Sequence, residues 1–588
     1  MSAWKGRQGL AALGVLLSMV VARAVLLGGS WFNQDDFYLS GRAYDADLTL
    51  GFLVRDTAGH VNPLQQLAYW LVAHAAPYSW ATVAVFVLVL QTAATVVLWL
   101  LLTRLLGERW SRVVLLAVFA WAPLTLATTL WWSAAMGLWP HVLCSLLAVH
   151  LLVRWRQGDA RPAWALAAIV ATTAFGLLWH ERAVLIAPVL YGVAVALADE
   201  ATGWRRLWAA LRRFRWLWVA QVLLLAGFLV GHGLLTDVEG GESTWRQRLE
   251  VTGSFVGRNV VPGIFGGPWA GELDGGAVRP ALWVVIASAL LALAGAALLL
   301  RRGGPARRWG LALLVGYVAA DLLLLLSGRA GFGSIIGLDP RYSSDTIHAA
   351  VLCVALSLRG SPPWLGLRPL AAASGRVRAA VVAGVVGAVA VASTAGTALL
   401  VPHFQNTEDK AFVTTLRAEV AADPTVVLFD RLAPADVVLP LVGRDSLLSR
   451  ILAPLPEDLR FDEPSARLRQ VADDGTLRPV ELDGAIPAEP GPDEPCGYPV
   501  RAAAEDVEFV LPIDGRVAVR VAYFSAEEST VRVTTGDWEA EFLATRGPNE
   551  MWLVLPELPG TVDGLTFRGD GRSTVCITGV EAGLPEQP

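Results

Sequence analysis

Charge is scarce in this chain: 17% of its 588 residues are charged while 54% are hydrophobic, which excludes the balance of a soluble globular protein. Lysine is nearly absent, with only Lys5 and Lys410, so the basic residues are almost all arginine. That bias points to a GC-rich genome and carries no mechanism. Cysteine is limited to four residues. A formal net charge of -5 gives no sign of nucleic-acid binding. No internal repeat stands out, so the inverted-repeat signature of many transporters is missing.

What the chain has is apolar length. Mean hydropathy is +0.50, and apolar stretches recur near residues 9–28, 79–102, 113–130, 137–153, 163–179, 183–198, 217–235, 281–300, 309–327, 344–358 and 379–400. Against a hydrocarbon core of about 30 Å this predicts an α-helical polytopic membrane protein with eleven spans. With a cytoplasmic N-terminus, Arg205, Arg206, Arg212, Arg213, Arg215, Arg301, Arg302, Arg307 and Arg308 fall inside, and Trp31, Trp131, Trp132, Trp139 and Trp179 fall at outer span ends, as the positive-inside bias and the aromatic belt require. The expectation is a multi-pass plasma (inner) membrane protein whose residues beyond 400 lie outside.

Three regions follow. Residues 1–400 form the membrane domain. Residues 401–495 read as a mixed α/β connecting region, with strands expected at Thr425–Asp430 and Asp436–Leu441. Residues 496–588 alternate apolar and polar positions between turn-forming residues, which predicts an extracytoplasmic β-sandwich or jelly roll. Cys496 and Cys576 bracket that sandwich in an oxidising compartment and are expected to pair. Trp538, Phe542 and Trp552 are candidates to stack on sugar rings, with core packing at strand spacing the alternative.

The densest chemistry lies behind the first span, where Asp35 and Asp36 open a long outer loop (30–78) that is expected to fold into short surface helices. A second long outer loop, 236–280, reads as a substrate-binding element. A carboxylate at an outer membrane surface can act as general base toward a hydroxyl acceptor. Outside the membrane the donor cannot be a cytosolic nucleotide sugar, so a lipid-linked sugar phosphate is the natural choice, and its leaving phosphate needs cationic or hydrogen-bonding partners. Outside-facing candidates are Arg182, Arg258, Arg329, Arg341, His60, His141 and His180. Arg341 and Tyr342 open the tenth stretch as a donor-phosphate contact. Trp179-His180-Glu181-Arg182 forms a tight outer corner, placing Arg182 with the phosphate contacts and His180, Glu181 and His60 in the cavity. Arg23 and Asp321 sit at similar depth by residue count, at about 1.5 Å per residue; they are expected to pair or to line one cavity, since each alone is costly in hydrocarbon.

Taken together, the acidic pair, surface helices, many spans, late Arg-Tyr step and trailing β domain resemble the GT-C class of polyprenyl-phosphate-sugar-dependent glycosyltransferases, with protein-mannosyltransferase-like and arabinosyltransferase-like members. The resemblance covers residues 1–400. It implies inverting transfer of a sugar to a cell-envelope glycan, glycolipid or protein, with Asp35 or Asp36 as base and Arg341 and Tyr342 on the lipid phosphate. Some members use a divalent metal such as Mg or Mn; two carboxylates leave that choice open. Mannosyltransferase-like members often carry Asp-Glu where this chain has Asp35-Asp36. The trailing sandwich resembles the carbohydrate-binding domains of mycobacterial-type arabinosyltransferases. Two other readings stand beside this one: a flippase or transporter for lipid-linked saccharides, and a non-catalytic membrane scaffold displaying a glycan-binding domain.

Overall fold

The computed structural model describes residue 4 and residues 6–236, 243–366 and 374–586. The chain divides into two compact units, one of Met1–Phe32 with Ala46–Asn406, the other of Asn33–Asp45 with Thr407–Pro588.

The first unit is helical. Among the described residues nine helices are long and apolar enough to cross a bilayer: Gly6–Gly28, Trp80–Leu106, Ser111–Thr129, Trp132–Gln157, Pro162–Trp179, Arg215–Leu235, Leu282–Arg302, Arg307–Phe332 and the run Gly375–Ala422, whose apolar part is Gly375–Phe404. Two of the eleven expected stretches hold helices shorter than these nine. The stretches at 183–198 and 344–358 contain helices of only 11 and 13 residues, Ile186–Ala196 and Thr346–Leu358. These measure about 17 and 20 Å at 1.5 Å per residue. The first starts late because the 3-10 turn Glu181–Leu185 takes up residues 183–185 of its stretch, the second follows the 3-10 turn Pro340–Tyr342, and both are buried in the bundle through residues such as Leu190, Val193, Ile347 and Leu352. Of the segment 236–280, the described residues 243–280 are more regular than expected, and Asp237, Glu239 and Glu242 lie outside the described residues. A capping box of Thr244 and Gln247 starts the helix Trp245–Gly253, a π-helical stretch Ser254–Val260 continues it, and a hairpin pairs Gly271–Asp274 with Ala277–Pro280. The hairpin turns on Gly275 and Gly276, both at positive φ, where only glycine lacks a steric cost.

In the second unit the helix Asp35–Asp45 joins the C-terminal half. The polar helix Thr407–Ala422 leads to a four-stranded sheet ordered Arg460–Phe461, Val427–Leu428, Leu468–Val471 and Leu477–Pro479, with its first three strands parallel. The strand expected at Asp436–Leu441 does not form; a 3-10 stretch starts at Pro440, whose missing N–H cannot serve a ladder. The sandwich has one sheet ordered Gly547–Leu555, Val517–Ser525, Val575–Pro585 and Leu482–Pro487, with Tyr498–Val500 also on Val575–Pro585. Its other sheet is ordered Trp538–Ala544, Ser529–Thr535, Val562–Gly569 and Glu505–Ile513. Inward residues alternate along the strands, Val519, Val521, Val531, Val533, Phe567 and Ile577 all being fully buried. This is the period-2 pattern of a sheet with one wet face. Its first strand lies at Leu482, ahead of the expected boundary at 496. Phe542 belongs to the sandwich core and Trp538 packs against it, while Trp552 is buried in a second cluster with Val427, Phe429 and Leu468, which favours packing over sugar stacking for these aromatics. Cys496 and Cys576 are disulfide-bonded, with Cα atoms 4.8 Å apart.

Candidate functional site

The acidic pair divides its work. Asp36 is wholly buried and Asp35 is half-buried. Asp36 folds back so that its carboxylate accepts the Asn33 N–H at 3.0 Å, while its own N–H donates to the Asn33 carbonyl at 2.7 Å. Both acids lie in the first turn of Asp35–Asp45, where unpaired N–H groups and the helix dipole favour negative charge. The helix is pinned within its unit by Arg42 Nε donating to Asp445 at 2.6 Å and by Arg450 donating to Asp45 at 2.5 Å. Gly41 permits the approach, since a Cβ there would meet the Arg450 carbonyl oxygen at 2.3 Å. Asp409, buried on the neighbouring helix of the same unit, has its pKa pushed up to about 8 by burial, with the charges of Glu408, Asp36 and Asp436 adding to it.

In the first unit the 3-10 turn Pro340–Tyr342 is locked from several sides. Asp339 accepts the Arg341 backbone N–H at 2.9 Å and its Nε and Nη2 at 2.8 and 2.6 Å, so the Arg341 charge is paired locally. The Arg341 guanidinium also stacks 3.9 Å from the Trp131 ring centre, a cation–π arrangement. Asn259, from the π-helical stretch, donates to the Gly337 and Asp339 carbonyls at 3.3 and 2.9 Å and accepts from Ser343 Oγ at 2.9 Å. π-helical turns often mark functional sites.

Arg182 sits behind this turn. Its guanidinium binds Asp321, lies 3.3 Å from Asp345, and donates to the backbone carbonyls of Tyr342 at 2.6 Å and Arg341 at 3.3 Å. Tyr317 donates to Asp345 at 2.9 Å, and His141 Nε2 lies 3.2 Å from the Tyr317 hydroxyl. With two buried carboxylates on it, Arg182 is a strut for the Arg341–Tyr342 backbone, and its charge is already matched. The expected pairing of Arg23 with Asp321 is corrected. Arg23 donates to the Ala122 carbonyl at 2.8 Å and to Thr125 Oγ1 at 3.2 Å, and the partner of Asp321 is Arg182. Depth along a helix fixes neither which helices adjoin nor which face a residue occupies.

His60, His180 and Glu181 are brought together. Their ligand atoms lie within 4.8 Å of one another, the size of a metal site. The donor set does not fit one, however. Arg329 donates to His60 Nε2 at 2.7 Å, which leaves Nδ1 as the protonated nitrogen, facing Glu181 at 2.8 Å. His180 Nδ1 accepts the Arg182 backbone N–H at 3.2 Å. The His60 Nε2 and His180 Nδ1 lone pairs are thus engaged by protein donors, and metal-bound histidines normally donate outward rather than accept. Burial opposes the Glu181 charge, yet the His180 and His60 imidazoles outweigh it and hold this carboxyl below the usual range. Burial pushes His180 down to about 4.

Arg329 completes the cluster, donating to the Tyr342 hydroxyl at 2.7 Å and lying 5.5 Å from its ring centre. Asp345, Tyr317 and Asn259 went unassigned from the sequence. Asp345 carried the clearest signal, a carboxylate set directly before an apolar helix.

No family model matches the chain, and no curated protein matches it. Among solved structures the chain is similar to the arabinofuranosyltransferase AftD from Mycobacteria, at 14% identity and TM-score 0.41 over 96% of this chain and 58% of that one. An arginine-to-serine mutant of AftD gives 13% identity and TM-score 0.41 over 97% and 61%, and a second class of that mutant gives 13% and 0.34 over 96% and 60%. The chain thus spans about six-tenths of those proteins' length.

Proposed function

We propose that this chain is an inverting membrane glycosyltransferase that moves a sugar from a polyprenyl-phosphate carrier to a hydroxyl acceptor of the cell envelope, at the outer face of the plasma membrane. The observation that carries this reading is the asymmetry of the acidic pair: Asp36 is buried as part of the helix start, while Asp35 keeps solvent access on the same turn. Asp35 is then the general base. It takes the acceptor's proton as the acceptor oxygen bonds to the anomeric carbon and the carbon–phosphate oxygen bond breaks, the electron pair leaving on the phosphate. Asp36, through its bonds to Asn33, fixes the start of Asp35's helix, and the Arg42–Asp445 and Arg450–Asp45 pairs hold its body. On this reading the Arg341–Tyr342 turn, held by Asn259 and by the Arg182 strut, is the candidate contact for the donor phosphate. The test is to supply purified protein with radiolabelled polyprenyl-phosphate sugars and candidate acceptors, and to read the anomeric configuration of the product by NMR. Inverted product supports the reading; retained configuration, or no transfer from any donor, contradicts it.

A further inference from the structure

Three arginines converge on the Tyr342 turn, and their charges are not equivalent. Arg182 is matched by Asp321 and Asp345, and Arg341 by Asp339. Arg329 differs: its hydrogen-bond acceptors are an imidazole nitrogen and a phenol oxygen, both neutral, and among the described residues no carboxylate lies within ion-pair distance of it. It is half-buried, at the last residue of the helix Arg307–Arg329. A guanidinium held by two neutral acceptors gains by exchanging them for the oxygens of an anion, because charge-assisted bonds are roughly twice as strong as neutral ones. Its planar fork matches two oxygens of one phosphate.

We propose that Arg329, Tyr342 and His60 form an anion site for a phosphate ester, with Arg329 as the cation that meets the ligand. In the structure Arg329 donates to His60 and Tyr342. On binding, its N–H groups pass to the phosphate oxygens, and the Tyr342 hydroxyl, no longer accepting from Arg329, turns to donate to the same group. Arg341 joins only by giving up Asp339, so it contributes less. This deepens the glycosyltransferase reading, on which it rests for the donor's identity, by assigning the phosphate contact to a different residue from the Arg341 expected from sequence.

The test is binding of farnesyl phosphate to the purified full chain in detergent, with no acceptor present. Farnesol and inorganic phosphate serve as separate arms, to distinguish a phosphate ester from a free lipid chain or a free anion. Arg329→Gln is expected to weaken farnesyl phosphate binding at least tenfold, Arg329→Lys less than Gln, and Arg341→Gln no more than threefold. A measurement that needs no variant accompanies it: phenylglyoxal labelling of the wild type, mapped by mass spectrometry, with farnesyl phosphate expected to protect Arg329 more than Arg341. Unchanged binding in Arg329→Gln, an equal or larger loss in Arg341→Gln, equal protection of both arginines, or inorganic phosphate binding as tightly as the ester would each overturn the proposal. Asp35→Asn is expected to keep farnesyl phosphate affinity, so failure of the anion site and failure of the base assignment are read separately.

Discussion

Removing the Arg182 guanidinium is the perturbation whose cost the structure defines best. Side-chain exposure is 2% for Asp321 and 1% for Asp345, so Arg182→Gln strands two carboxylates away from water with no cation between them. Breaking one buried pair in this way costs about 3–5 kcal/mol, and mutual repulsion raises the figure. Asp321→Asn is milder. Asp345 keeps its cation at 3.3 Å and an amide oxygen still accepts from Arg182, so the loss is about 1.5–3 kcal/mol, the scale of one hydrogen bond to a charged group. The double variant strands only Asp345, and its cost falls below the sum of the singles by about 2 kcal/mol, inside the usual range for residues in contact. Membrane proteins in detergent unfold irreversibly, so the assay is the unfolding rate of the four proteins at one temperature. The double variant is expected to unfold roughly thirtyfold more slowly than additivity requires, at about 1.4 kcal/mol per tenfold. Additive effects would refute the strut. Arg23→Gln combined with Asp321→Asn is the control expected to be additive.

Further outcomes follow from the same geometry. Asp409 titrates near 8 in the fold against an ordinary 3.8, so the fold favours its protonated form. That contribution is complete below about pH 4 and is lost as pH rises through about 8; thermal unfolding across this window should show Asp409→Asn flatter with pH than the wild type, and parallel curves would contradict the shift. Asn259→Ala removes both donors that hold the Gly337–Asp339 carbonyls and should raise the donor KM more than it lowers kcat; an effect on kcat alone would place Asn259 elsewhere in the cycle. Reduction of Cys496–Cys576, which closes a loop of separation 80, should cost the sandwich about 4 kcal/mol in the chain-entropy model, read as a drop in its unfolding midpoint under reducing conditions.

Membrane spans were legible in the sequence because an apolar run is a local property, and the sandwich was legible because its side chains alternate strictly. The shortness of two helices was not, since hydropathy counts apolar residues without knowing that the 3-10 turn Glu181–Leu185 uses up part of the first run or that the second helix runs only from Thr346 to Leu358. Asp35, Asp36, Arg182, Arg341 and Tyr342 could be picked out as unusual charges or motifs, but their partners could not. That Asp321 meets Arg182 rather than Arg23 depends on which helices adjoin. That Arg329 lacks a matching carboxylate is a property of three-dimensional neighbours alone, and so is the grouping of the Asp35–Asp45 helix with residues beyond 406.

The most direct measurement compares wild type, Asp35→Asn and Asp36→Asn for transfer from a polyprenyl-phosphate sugar, with donor affinity measured on the same preparations. Asp35→Asn is expected to lose transfer by at least about 100-fold, the low end for removal of a general base, while keeping wild-type donor affinity and fold, whereas Asp36→Asn lowers stability first. Transfer by Asp35→Asn at the wild-type rate would contradict the assignment of the base and with it the proposed reaction.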